Sequence, residues 1–122
     1  MRILIALVVV IVFSVIGTFK YLDSTMCENT EIEISVSPDK KQYAVLFERN
    51  CGATTGYSSQ ISILNINEKL NNSDTGNIYI ANGYPENYSI KWVSPYVLHI
   101  NGAREKTFKK IELHNSVTIY YE

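Results

Sequence analysis

The sequence predicts an all-β domain, a small antiparallel β-sandwich or open barrel of about 7–8 strands, preceded by one N-terminal hydrophobic helix. Three observations carry this reading. An unbroken apolar run, ILIALVVVIVFSVIGTF, follows Met1 and Arg2. Short segments rich in Ile, Val, Tyr and Thr come after it, separated at intervals of about 8 to 14 residues by Gly, Pro, Asn and Asp. No later stretch repeats its apolar residues at helical spacing over a useful length.

The apolar run covers 17 residues, from Ile3 to Phe19, and closes at Lys20. A signal-peptide core takes about 7 to 15 residues and a membrane-crossing helix about 17 to 25, so the length sits at the border between them. The chain has no A-x-A cleavage signature; Val15-Ile16-Gly17 is the nearest substitute. A retained signal-anchor is therefore the first reading and a cleaved signal peptide the second. Arg2 and the terminal amine precede the run, and positive charge tends to stay cytoplasmic, which places the remainder of the chain outside. Residues 1–20 are assigned to this helix, 21–29 to a juxtamembrane linker and 30–122 to an extracytoplasmic β domain. The membrane is thus the first expected partner, through residues 3–19.

Each strand follows from its pattern. Thr30 to Ser37 alternates, which predicts Ile32, Ile34 and Val36 on one face and Glu31, Glu33 and Ser35 on the opposite, solvated one. Pro38 presets a turn and Asp39 can bond its own backbone. Gln42 to Arg49 has an apolar centre, and Tyr57 to Ile66 places Ile61 and Ile63 on one face. The polar stretch NEKLNNSDTGN (67–77) reads as a loop. The segments IYIANG, YSIKWVS, YVLHING, TFKKIEL and SVTIYYE complete the series, all expected to pair antiparallel. The nine tyrosines belong at the margins of the core, and Trp92 belongs inside it.

Charge and cysteine content narrow the function classes. From Cys27 onward there are nine Lys/Arg and eleven Asp/Glu, a net of −2, with no run of more than two like charges. A nucleic-acid or anionic-surface binder would need a clustered basic face, so no nucleic-acid partner is expected. The two cysteines, Cys27 and Cys51, both lie beyond the apolar run. In an oxidising compartment such a pair usually closes a disulfide, and a loop of about 25 residues makes it worth roughly 3.5 kcal/mol. His99 and His114 show no ligand spacing with the cysteines or with each other, so no metal site is expected. Neither a catalytic set nor a cofactor motif is present in the pattern.

The stretch ERNCGATTGYSS (48–59) stands apart, with a cysteine, two glycines and a series of hydroxyls between two strand-like segments. No Lys follows its second glycine and no helix signal follows the loop, so it is not a phosphate loop. Two readings stay open. In one, the glycines supply φ > 0 in a long hairpin connection tied down by Cys51. In the other, Gly52, Ala53, Thr54, Thr55, Gly56 and Tyr57 form a stapled, hydroxyl-rich loop that binds a partner.

The stretch SPDKKQYAVLFERNCGATTG, followed by IKW and LHI, resembles an uncharacterised family of small exported, membrane-anchored bacterial proteins with an S-P-D turn and a C-G-A-T-T motif. That resemblance implies a single pass through the bacterial cytoplasmic (inner) membrane with the C-terminal domain periplasmic or extracellular. A secreted or periplasmic product after cleavage is the alternative. It implies no activity. The expected function is a non-enzymatic, membrane-tethered interaction module with a protein partner. An immunity-type inhibitor of a toxin or hydrolase is one form of it, and an accessory structural subunit of an envelope assembly is the alternative.

Overall fold

The computed structural model describes residues 1–52 and 55–122, without the side chains of 22–25. Helix α1 (Arg2–Thr25) opens the chain. Its stretch Arg2–Tyr21 has a mean hydropathy of 2.7 and none of it is buried, so it is long and apolar enough to cross a membrane or to serve as a signal sequence. No Gly or Pro stands between Thr18 and Thr25 to end the helix early. It continues to Thr25, and strand β1 (Glu28–Val36) begins after only Met26 and Cys27. The stretch read as a linker, 21–29, is thus the end of the helix and the start of the first strand.

Nine strands follow among the described residues, in two sheets. The first sheet orders β1, β2 (Gln42–Asn50), β3 (Tyr57–Asn65), β4 (Tyr79–Asn82) and β7 (Lys109–Lys110), all antiparallel. The second orders β5 (Ser89–Ser94), β6 (Val97–Asn101), β9 (Val117–Tyr121) and β8 (Leu113–His114). Their inner faces meet in one apolar core. Ala44, Leu46, Ile61, Ile63, Ile78 and Ala81 come from the first side, and Ile90, Trp92, Leu98, Ile100, Val117 and Ile119 from the second. The predicted β class is the observed one.

Four details differ from the sequence reading. The segment TFKKIEL is not one strand, because the chain crosses from one sheet to the other within it and leaves two short strands, β7 and β8. β9 pairs parallel to β6, from Val97↔Thr118 to Ile100↔Tyr121, because that crossover returns it in the same direction as β6. Tyr79 is wholly buried rather than marginal. Its hydroxyl is satisfied inside the core, 2.9 Å from the Tyr88 hydroxyl and accepting from Arg104 N at 2.9 Å.

The fourth difference concerns β1. Glu31 pairs with Phe47 and Glu33 with Leu46, so Ile32 is an extra residue and the facing of the strand reverses there. Beyond the bulge, Glu33 and Ser35 turn inward, while Ile34 and Val36 remain 50% and 47% exposed on the outer face. The cause lies in what β1 meets. Its inner side abuts the backbone of β5, where hydrogen-bonding groups are needed. The Trp92 indole donates to Ser35 O at 2.8 Å, and Ile90 N donates to Glu33 Oε1 at 3.4 Å.

The outer face of β2 and β3 is covered by the polar loop. Tyr43, Val45 and Phe47 form a second apolar cluster there with Leu64 and Leu70. Gly76 N donates to Gln60 Oε1 at 2.7 Å and Asn77 N to Ser62 Oγ at 3.0 Å, so buried polar side chains of β3 hold the loop backbone down. Gly76 is obligatory in this seat, since an added Cβ would lie 2.5 Å from Tyr79 O. Arg49 Nη1 donates to Asn29 Oδ1, Asn72 O and Asp74 O at 2.8, 2.8 and 2.9 Å, tying strand, loop and β1 together.

The Cys27–Cys51 disulfide closes the open end of the β1–β2 hairpin, with a sequence separation of 24. Replacing either cysteine by serine is expected to lower the melting midpoint by about 12 to 24 °C, since about 3 kcal/mol shifts a domain of this size by that amount. Ellman titration of the native, unreduced protein should find no thiol, and two titratable thiols would refute the pairing.

The tyrosine cluster makes a second prediction. Burial, then the hydroxyl contact with Tyr79, pushes the Tyr88 phenol up to about 12 from an ordinary 10.0. A phenol held neutral in the folded state contributes stability that is complete below the unfolded pKa and lost as pH rises through the folded one. Stability should therefore fall between pH 10.0 and about 12, and in urea titrations across that window Tyr88→Phe should fall less steeply. An equal slope in both proteins would remove this role for Tyr88.

Candidate functional site

The register of the first sheet brings one set of strand ends into a single row. Glu28 pairs with Asn50, and Asn50 with Tyr57. Gly83 N donates to Tyr57 O at 2.8 Å, and Phe108 N donates to Ile80 O at 2.8 Å on the far side of β4. The row therefore runs from the disulfide through Tyr57 and Tyr84 to Phe108. The sequence-predicted loop lies on it. Gly52, Thr55, Gly56 and Tyr57 are placed there, whereas Ala53 and Thr54 lie outside the described residues.

Local chemistry fixes the visible part of this loop. Gly52 and Gly56 adopt φ of 116° and 68°, the left-handed region that favours glycine. Gly52 N donates to Asn50 Oδ1 at 3.0 Å, while the Thr55 backbone N–H and hydroxyl both donate to Gly52 O, at 3.3 and 3.1 Å. Thr55 thus spends its hydroxyl inside the turn. Tyr57, at the start of β3, stacks on Tyr84 with ring centroids 4.3 Å apart. The Tyr57 hydroxyl contact raises the Tyr84 pKa.

Three residues that sequence reasoning did not join to the loop complete the rim. Arg104 donates to Asn82 O and Tyr84 O, clamping the turn that carries Tyr84. Phe108 is 74% exposed. Its ring borders two shallow hollows, one of about 230 Å³ shared with Cys51, Thr55 and Gly56 and one of about 430 Å³ shared with Arg104 and Lys106. Nothing in their spacing announces this grouping, because Tyr84 lies in the β4–β5 connection and Arg104 and Phe108 in the β6–β7 connection.

The remaining chemistry-bearing residues sit elsewhere. Cys51 is oxidised and so carries no thiolate. His99 belongs to β6, with Nδ1 3.8 Å from a Glu122 carboxylate oxygen and its ring tilted against Tyr120. His114 stands beside Asn115 at the β8–β9 turn. Among the described residues no group of three or more His, Cys, Asp or Glu could hold a metal ion. A further hollow, of about 610 Å³, lies against the polar loop. Its carboxylates are engaged locally: Asp74 Oδ2 accepts from Asn71 N at 2.8 Å and Glu68 Oε1 from the Asn65 amide at 2.6 Å.

The two loop glycines should respond differently to substitution. Gly56 has the φ of an ordinary left-handed turn that Asn tolerates, whereas Gly52, at φ of 116°, lies beyond it. Gly56→Asn is expected to be nearly neutral and Gly52→Ala to cost about 1–3 kcal/mol in urea denaturation. Equal midpoints for Gly52→Ala and the parent would show that this turn does not need its present backbone.

No curated protein and no solved structure matches the chain. One family does, over residues 1–112, which contain α1 and β1 to β7. The chain belongs to that family, described as a family of unknown function (DUF5412).

Proposed function

We propose that the chain is a membrane-tethered binding module that works outside the cytoplasm and carries no catalytic chemistry of its own. In this reading α1 is a retained single-pass anchor in a bacterial cytoplasmic membrane, and the β domain stands in the periplasm or outside the cell. One observation carries it: a disulfide lies two residues behind an apolar helix long enough to span a bilayer. Such bonds persist in oxidising compartments, so helix and disulfide together support an anchored domain on the non-cytoplasmic side.

The partner is a protein, and the stripe Ile32, Ile34 and Val36 supports this. These side chains are 49%, 50% and 47% exposed on a sheet face whose neighbouring strands are covered by the polar loop. Large aliphatic groups left together on the surface mark interaction sites more often than isolated ones do. A toxin or hydrolase reaching the same compartment is the partner taken first, with an immunity-type role for this chain.

The experiment combines location and capture. Alkaline phosphatase fused after residue 122 should be active and sediment with membranes; an inactive, soluble fusion would overturn both anchor and export. Affinity capture of the tagged full-length protein from membranes should then yield a protein that Ile34→Ser/Val36→Ser no longer retains. Exposed substitutions of this kind should keep folding stability within about 1 kcal/mol. Identical captures by parent and variant would rule out this surface. A captured set drawn from one envelope assembly would favour the accessory-subunit role instead.

A further inference from the structure

On the anchored reading of α1, chain geometry brings the aromatic rim beside the disulfide close to the membrane surface. The span Arg2–Tyr21 has 20 residues. At 1.5 Å per residue this is about 30 Å, the thickness of the hydrocarbon core. Residues 22–25 continue the helix, adding about 6 Å, which matches a headgroup layer of about 5 to 7.5 Å on each side. Cys27 therefore emerges at the outer boundary of the headgroups, and its bond to Cys51 holds the end of β2 at the same level. Strands lie about 4.8 Å apart, so Tyr57, Tyr84 and Phe108 follow along the same row within about 20 Å.

We infer that Tyr57, Tyr84 and Phe108 seat this end of the β domain on the lipid headgroup layer of the membrane that holds α1. The inference rests on the anchored reading of α1. The three rings are 38%, 47% and 74% exposed. Tyrosine combines an apolar ring with a polar tip and concentrates at membrane–water interfaces. The rings are also prearranged. Tyr57 and Tyr84 stack, and Arg104 pins the Tyr84 turn through two carbonyls, so little order has to be imposed on docking. Charge plays no directing part, because exposed Glu86 and Glu105 offset Arg104 and Lys106. Neutral lipid is the partner chemistry, and the domain sits with its strand ends against the bilayer instead of swinging on its tether.

The test uses the full chain in phosphatidylcholine vesicles whose acyl chains carry bromine near the carbonyl end. Phe108→Trp adds a reporter on the rim and Tyr96→Trp adds one at the opposite end of the domain. Buried Trp92 supplies the baseline in both. Tyr96 marks the opposite end because Gln42, at the start of β2, donates to Pro95 O at 3.2 Å. Emission added by the rim reporter should be mostly quenched and blue-shifted, and emission added by the far-end reporter should be unaffected. Exchanging Tyr57 and Tyr84 for serine in the Phe108→Trp protein should relieve the quenching. Should Phe108→Trp not fold, Tyr84→Trp carries the same expectation. An unquenched rim reporter in protein that floats with the vesicles would overturn the seating and leave the anchor standing. Protein that fails to float would overturn both.

Discussion

Two sulfur atoms joined directly behind a hydrophobic helix set the frame for the other features of this molecule. Without the Cys27–Cys51 bond, the β1–β2 hairpin would have no covalent link at the end where the helix enters, and Gly52 and Thr55 would keep the hydrogen bonds they make within the turn. With it, the end of β2 is held beside the helix exit. The strand register then carries that position across the sheet to Tyr57, Tyr84 and Phe108. The same crosslink that removes conformational freedom from the unfolded chain therefore also decides which end of the sandwich faces the helix.

The thin sandwich achieves more burial than its strand count alone would allow, because the loop after β3 acts as a third layer. Tyr43, Val45 and Phe47 have no second sheet above them, yet they are buried. The layer over them is polar and contributes Leu70 as its apolar contact, so it adheres largely through hydrogen bonds. Arg49 joins it to β1, and burial lowers the guanidinium pKa. Tyr43 adds a bond from its hydroxyl to Glu68 O at 2.7 Å.

Much of this was legible in the sequence, and where legibility ended there is a physical reason. The helix, the β class, Trp92 in the core and the turn at Pro38 follow from hydropathy, alternation and turn chemistry, all of which act locally. The apolar centre of Gln42 to Arg49 marked a strand, whereas the polar loop that covers its outer face could not be read from local pattern. Alternation misassigned β1 because one extra residue, Ile32, inverts the facing of everything after it and leaves no mark in composition. The parallel β6–β9 pairing depends on where the chain crosses between sheets, a non-local choice. The rim was half legible: the glycines and cysteine of its loop stand out, whereas Tyr84, Arg104 and Phe108 join it only through sheet register.

The meeting of β1 and β5 also governs how this molecule behaves in a crowd of its own copies. An exposed strand edge is a template on which another chain can add. Here the two longest edges face each other, with Ser35 O occupied by the Trp92 indole and Ile90 N by Glu33. The opposite edges, β7 and β8, are two residues long each, too short to template a stable ladder. The tyrosine-rich β9 lies between β6 and β8, paired along its length to β6 and over its first half to β8. Glu33, turned inward on an edge strand, is thus a guard against polymerisation as much as a structural acceptor.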